Sequence, residues 1–175
     1  MNKKTIIHIT GPTASGKTDL SIKLSQIFNT DIVSYDSRQF YKEMCIGTAV
    51  PNADELSKIK HHFIQNLSIK DNYSIGQFER DALAKIEALH KNNNVIVMVG
   101  GSGMYIDAVC KGLDDFPTVP ESIRKELNLR HKNEGLDALK EELIKLDPDY
   151  HELVDSSNPY RIIRAIEVCI VSGKP

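Results

Sequence analysis

The sequence predicts an α/β fold, a parallel sheet flanked by helices, with a small helical insertion. Three observations carry this prediction. Apolar, β-branched runs at Thr5–Ile9, Asp31–Tyr35 and Val95–Val99 alternate with stretches of helical periodicity. A glycine or polar cluster follows each run at once, as at Gly11, Asp36-Ser37-Arg38-Gln39 and Gly100-Gly101-Ser102-Gly103. After Gly112 the strand signals stop and helical signals continue. The chain of 175 residues fits one domain with an insertion. The predicted plan is a core domain over 1–113, a helical insertion over 114–158, and a helix over 159–175 returning to the core.

The first strand, Thr5–Ile9, leads into Gly11-Pro12-Thr13-Ala14-Ser15-Gly16-Lys17-Thr18, which fits G-x-x-x-x-G-K-[ST]. Leu20, Leu24 and Ile27 then share one face, as on a helix. Strand, glycine loop and helix N-terminus together aim backbone N–H groups at a phosphate chain, so the sheet is expected to be P-loop NTPase-like. Lys17 would neutralise charge on that chain, and Thr18 would offer a hydroxyl to magnesium. The motif does not distinguish ATP, GTP or another diphosphate, and a chance match in a turn is the bland alternative.

The second strand ends in Asp36, which suits a general base or a magnesium ligand; the alternative is a capping Asp in a turn. Ser37, Arg38 and Gln39 suit a nucleobase or ribose-phosphate, or a solvated loop. Residues 40–60 are expected to be irregular, with Asp54 capping a short helix through Lys60 and a short strand over His61–Ile64. His61 and His62 are adjacent, so a strand points them to opposite faces and they do not share a metal. Ser74-Ile75-Gly76-Gln77 has the form of a capping box, and its helix turns Ile75, Phe78, Leu83, Ile86 and Leu89 inward until Asn92-Asn93-Asn94. Val95–Val99 is uniformly apolar, as in a strand covered on both faces. A helix over Met104–Cys110 follows. In parallel sheets ligands bind at the carboxyl ends of strands, so the loops after residues 9, 35 and 99 should share one pocket.

Asp114–Pro120 reads as a hinge, and Glu121–Lys132 and Leu136–Leu146 as helices split by Gly135. Tyr160–Ser172 forms a final helix, stopped by Gly173-Lys174-Pro175. Its Arg161 and Arg164 lie three apart and could grip phosphates or face solvent. Arg124, Lys125, Arg130 and Lys132 make the insertion locally basic, diluted by Glu121, Glu126 and Glu134. Net charge is −2, which does not advertise nucleic-acid binding but permits a local basic face. Cys45, Cys110 and Cys169 lack metal or disulfide spacing and fit a reducing cytoplasm. The apolar run at the N-terminus is too short for a signal peptide or a membrane span.

Seven segments in order resemble the N-terminal part of the tRNA dimethylallyltransferase (tRNA isopentenyltransferase) family. They are GPTASGKT at 11–18, SYDSRQ at 34–39, IGTA at 46–49, His61-His62, Tyr73-Ser74, VGGSGMY at 99–105 and NPYRIIRAIEV at 158–168. The resemblance implies transfer of a dimethylallyl group from its diphosphate to N6 of the adenosine 3′-adjacent to the anticodon, in tRNAs reading codons starting with U. It implies Mg2+ as cofactor, and tRNA (at the anticodon stem-loop) and dimethylallyl diphosphate as partners. No membrane is involved, and a cytoplasmic monomer is expected. Asp36, Lys17 and Thr18 are the implied catalytic residues, with Thr18 also at the metal. Gly11, Pro12, Thr13, Ala14, Ser15, Gly16, Lys17 and Thr18 line the diphosphate site. Asp36, Ser37, Arg38, Gln39, Ser102, Arg124, Tyr160, Arg161, Ile162, Ile163 and Arg164 meet tRNA, and the insertion helps hold it.

Two departures stand out. Ser102 falls where the family usually has Thr, keeping a hydroxyl, and Val50 replaces a common Lys. The family continues past residue 175, so the chain is expected to be a piece of a longer protein. Alternatives are an isopentenyltransferase acting on free adenine nucleotides, a P-loop small-molecule kinase, and a nucleotide- or RNA-binding fragment without turnover.

Overall fold

The computed structural model describes residues 3–113 and 118–175. The chain forms two compact units, Met1–Leu113 and Asp114–Pro175. The first contains β1 (Thr5–Ile9), α1 (Lys17–Phe28), β2 (Ile32–Ser34), α2 (Ala53–Lys58), β3 (His61–His62), α3 (Ile75–Leu89), β4 (Val95–Val99) and α4 (Gly103–Lys111). Its four strands run in the order β1-β4-β2-β3, and each neighbouring pair is parallel. Parallel pairing requires crossovers, which the intervening helices supply. The uniformly apolar β4 lies between β1 and β2, with Ile96, Val97 and Met98 fully buried. Register then matters for the site. Val99 stands opposite both Ile9 and Ser34, so three strands end level and their loops emerge together.

Packing explains several departures from the sequence pattern. In α1 the buried positions are Ser21, Ile22 and Ser25, while Ile27 is 72% exposed and Leu20 is also exposed. The two serines are small, which suits a helix lying close against the sheet, and the leucine stripe predicted for this face is not the buried one. α3 has its predicted capping box: Ser74 Oγ accepts from Gln77 N at 3.2 Å, and Gln77 Oε1 accepts from Ser74 N at 2.8 Å. Its buried stripe is Phe78, Ala82 and Ile86, spaced by four, which leaves Leu83 on the outer face. α2 is capped by Asn52 and not by Asp54, because Asn52 pairs reciprocally with Glu55. β3 stops after two residues, since Phe63 and Gln65 adopt left-handed backbone angles (φ 62 and 46) that break an extended run. Around Phe40 an aromatic cluster fills the core between sheet and helices; Phe40 stacks on Phe78 at 5.3 Å, and Tyr105 meets Phe78 edge-on at 5.2 Å.

The second unit is helical: α5 (Glu121–Glu134), α6 (Leu136–Leu146), α7 (Pro148–Leu153) and α8 (Pro159–Ser172). Leu127, Leu139, Leu143, Ile162, Ile163 and Ile166 form its core. The helix predicted to return to the sheet domain, over 159–175, therefore shares a core with α5 and α6, because its apolar stripe is complementary to theirs. α7 was not visible as a periodic pattern, being only six residues long; its signal is Asp147-Pro148, where Asp147 Oδ1 caps by accepting from Tyr150 N at 2.9 Å. The predicted hinge falls on 114–120, of which residues 114–117 lie outside those described.

Gly100, directly after β4, has no room for a side chain. A Cβ there would lie 2.6 Å from Tyr35 Cδ2 and 2.8 Å from the Tyr35 carbonyl carbon, and backbone cannot yield as a flexible side chain can. Gly100→Ala is expected to destabilise the first unit by about 3 kcal/mol, measured as a fall in urea midpoint with unchanged slope. Gly103→Ala, where a Cβ meets open space, is the matched control and should leave the midpoint nearly unchanged.

Candidate active site

The loop from Gly11 to Gly16 bridges β1 and α1. Ala14 (φ 64) and Gly16 (φ 81) both take left-handed angles, which fold the loop back over the helix N-terminus. The first helical hydrogen bond is Leu20 N to Gly16 O, so the amides of Lys17, Thr18 and Asp19 precede the helical ladder. Such amides attract an anion. Lys17 Nζ donates to the carbonyls of Gly11 at 2.8 Å and Pro12 at 2.6 Å, which holds the ammonium beneath its own loop. A cavity of about 240 Å3 opens here, with Thr13 to Asp19 on one side and Asp36, Gln39, Thr48, Ala49 and Glu55 on the other.

The far wall is built by cross-bracing. Gln39 Nε2 donates to the carbonyls of Thr48 (3.1 Å) and Ala49 (2.8 Å), and Thr48 Oγ1 donates to Met44 O at 2.6 Å. These bonds hold the 44–49 segment against the loop after β2. Asp36 heads that loop, and its Oδ1 accepts from Arg38 N at 3.2 Å. Ser37 N donates to Ser102 Oγ at 3.0 Å, and the two hydroxyls share a further bond at 3.1 Å. The loops after β2 and β4 are thus tied together. A second, more polar cavity of about 320 Å3 lies beside the first, lined by Thr13, Asp36, Ser37, Arg38, Thr48 and Ser102 among others. Asp36 borders both cavities.

The donor set fits magnesium. Thr18 and Asp36 supply a hydroxyl and a carboxylate, the hard oxygen donors this ion prefers alongside substrate phosphates. The first cavity also carries Asp19 and Glu55 against one cation, Lys17, so a diphosphate there is favoured by a divalent ion that offsets the acidic walls. Among the described residues there is no cluster of three or more His, Cys, Asp or Glu that could hold a metal ion.

A family model described as IPP transferase matches residues 39–175. The chain belongs to the IPP transferase family. It is 55% identical over 170 residues to a tRNA dimethylallyltransferase of Christiangramia forsetii, covering 97% of this chain and 56% of that protein. A solved tRNA isopentenylpyrophosphate transferase from Bacillus halodurans superposes with a TM-score of 0.62 at 33% identity, over 99% of this chain and 57% of that one. A eukaryotic dimethylallyltransferase crystallised while acting on tRNA gives a TM-score of 0.80 at 28% identity, covering 98% of this chain and 43% of that one. The chain thus spans somewhat more than half the length of the curated relatives it matches. Its parallel sheet with flanking helices is the P-loop NTPase-like fold of these IPP transferases.

The IPP transferase residues named from sequence divide into two groups. The loop residues 11–18, Asp36, Ser37, Arg38, Gln39 and Ser102 converge in the first unit. The Gln39 amide braces the carbonyls of Thr48 and Ala49. Thr48, Ala49 and Glu55 were missed as site residues; the IGTA segment was the available signal for the first two, and nothing local marked Glu55. In the second unit Tyr160 is 80% exposed and Arg161 is exposed, as surface contacts require. Ile162 and Ile163 are core residues packed with Leu127, Leu139 and Leu143, so their side chains are not presented at the surface as the predicted tRNA contact expects. Arg124 and Arg164 are both drawn to Glu167, a residue of 0% exposure. Arg124 Nε and Nη2 donate to the two Glu167 oxygens at 2.7 and 2.8 Å, and Arg164 Nη1 donates at 3.3 Å.

This triad makes a testable statement about the second unit. Hydrogen bonds from Arg124 hold the Glu167 carboxyl below its ordinary value of 4.5 against the opposing effect of burial, with Arg164 adding to the shift. A folded-state pKa below the unfolded one stabilises above the unfolded value and loses that stabilisation as pH falls through the folded value. Arg124→Met leaves a buried carboxylate with only the longer Arg164 contact, and should cost about 3 kcal/mol at neutral pH. The gap between the wild type and this variant, followed by chemical denaturation, should narrow as pH drops below 4.5.

Proposed function

We propose that this protein transfers a dimethylallyl group from dimethylallyl diphosphate to N6 of the adenosine 3′-adjacent to the anticodon, in tRNAs reading codons that begin with U. The observation that carries the reading is the place of Asp36, a wall common to the loop-lined cavity and to its polar neighbour. A carboxylate there stands between a diphosphate on the loop and a base in the second cavity. The names of the relatives, tRNA dimethylallyltransferase and tRNA isopentenylpyrophosphate transferase, point the same way.

In this mechanism the adenine N6 attacks C1 of the dimethylallyl group, the C1–O bond breaks, and its electron pair leaves with the diphosphate. Asp36 accepts the proton that N6 loses. Lys17 and the amides at the start of α1 take up the negative charge that builds on the departing oxygens. Magnesium bound at the Thr18 hydroxyl would supply further charge stabilisation there. Ser37, Arg38 and Ser102 surround the base, and Tyr160 and Arg161 offer the second unit's exposed stacking and phosphate contacts. The adenine has to leave its stack, which costs on the order of a few kcal/mol. The protein acts as a cytoplasmic monomer in this reading; its unpaired Cys45, Cys110 and Cys169 suit a reducing compartment, and among the described residues no helix is long and apolar enough to cross a membrane.

The chain alone, and a chimera carrying the C-terminal part of the Christiangramia forsetii relative, should be incubated with labelled dimethylallyl diphosphate and tRNA or AMP, and separately with labelled ATP. Label on tRNA is the expected result; label on AMP indicates the free-nucleotide enzyme, and phosphate transfer from ATP the kinase. In the active form Asp36→Asn should lower kcat by about 1,000-fold with donor affinity nearly unchanged. Lys17→Met should weaken diphosphate binding by roughly 10- to 100-fold in calorimetry.

A further inference from the structure

Behind the phosphate loop lies a recess of about 30 Å3, walled by Lys17, Thr18, Ser34, Asp36, Gln39 and His61 among others. This is enough for one water and too little for a substrate group. His61 brings an unusual feature to that wall. Its Nδ1 lies 2.9 Å from the carbonyl of Ile59, and a carbonyl only accepts, so Nδ1 carries the proton. Nε2 is thereby left as an acceptor. It is buried and has no hydrogen-bond partner among the described residues. The neighbouring His62 is differently placed: its Nε2 lies 2.9 Å from Asp31 Oδ2. Burial also lowers the His61 pKa, which favours the neutral ring. Buried acceptors are satisfied in nearly all proteins, by protein or by ordered water.

We infer that His61 Nε2 accepts a hydrogen bond from a single water seated in this recess, and that this water orients the Asp36 carboxylate beside Thr18. His61 is then a positioning residue. It touches neither substrate, and it acts through the water on the carboxylate that receives the N6 proton. The kinetic part rests on the prenyl-transfer reading, while the water and the carboxylate orientation do not.

The test is a pair of variants, His61→Gln, whose side-chain amide keeps a polar group near the Nε2 position, and His61→Leu, which removes it. Crystal structures of the wild type and both variants decide the structural part. Wild type and His61→Gln should show a water within hydrogen-bond distance of residue 61 and of Asp36 or Thr18, with one Asp36 rotamer. His61→Leu should lose the water and show a second rotamer. An empty recess in the wild type, or an unchanged Asp36 rotamer in His61→Leu, overturns the inference whatever the activity. In the transfer assay His61→Leu should lower kcat about 10-fold with KM for the donor unchanged, and His61→Gln should recover most of it. Equal kcat for wild type and His61→Leu, or a loss confined to KM, also overturns the positioning role. A chimera carrying the relative's C-terminal part that folds and keeps the water but transfers nothing sinks the prenyl-transfer reading and leaves the structural result to decide this inference.

Discussion

The contact between Gly100 and Tyr35 is the constraint on which the site depends. Tyr35 N donates to Val99 O at 2.9 Å, and its hydroxyl donates to Ile9 O at 3.0 Å. Gly100 N donates to the same Ile9 carbonyl at 3.2 Å. One buried aromatic and one bare backbone position thus stitch together the ends of β1, β2 and β4. The phosphate loop, the Asp36 loop and the Ser102 loop all start within a residue or two of this knot. Their relative placement is inherited from the sheet and not from the loops' own weak preferences. Burial and desolvation of the Tyr35 hydroxyl raise its pKa, so it stays a neutral donor across the working range.

A second level of bracing acts beyond the knot. The Ser37–Ser102 pair joins two strand-end loops, and Gln39 holds a third segment by its carbonyls. The Ser37–Ser102 bond and the Gln39 bond to the Thr48 carbonyl are partly shielded from water, where a hydrogen bond competes less with solvent. Ala14 and Ala49 both hold left-handed backbone angles, φ 64 and φ 50, on opposite sides of the loop-lined cavity. Such angles cost non-glycine residues roughly 1 kcal/mol or more each, and they persist where surrounding bonds over-determine the backbone. At Ala49 the bond from Gln39 is one such determinant.

Much of this was legible in the sequence because the signals were local. The loop motif, the uniformly apolar β4 and the Ser74–Gln77 capping box each depend on residues within a few positions of one another, and each appears where periodicity or spacing predicts it. Assignments that needed tertiary information fared differently. Nothing in α1 reveals that its serines, not Leu20 and Ile27, face inward. The isoleucines of α8 fall in a segment that resembles the family's tRNA-contact stretch, yet their partners Leu139 and Leu143 sit some twenty residues upstream and make them core. Arg124 reads as a free cation until the fold brings Glu167 to it, whereas Arg164 meets Glu167 at the local i,i+3 spacing. Charge pairing across 43 residues leaves no trace in spacing.

Lys17 shows how a cradle can hold an anion without trapping it. Its ammonium already spends two of its three donors on the Gly11 and Pro12 carbonyls. An arriving anion therefore either takes the one remaining donor or displaces an existing bond, and the free energy gained is a difference between two good arrangements. Charge that grows during bond cleavage enlarges that difference, and its dispersal afterwards shrinks it. In the transfer proposed above, the same residue would favour the moment of rupture while leaving the spent anion loosely enough held to depart.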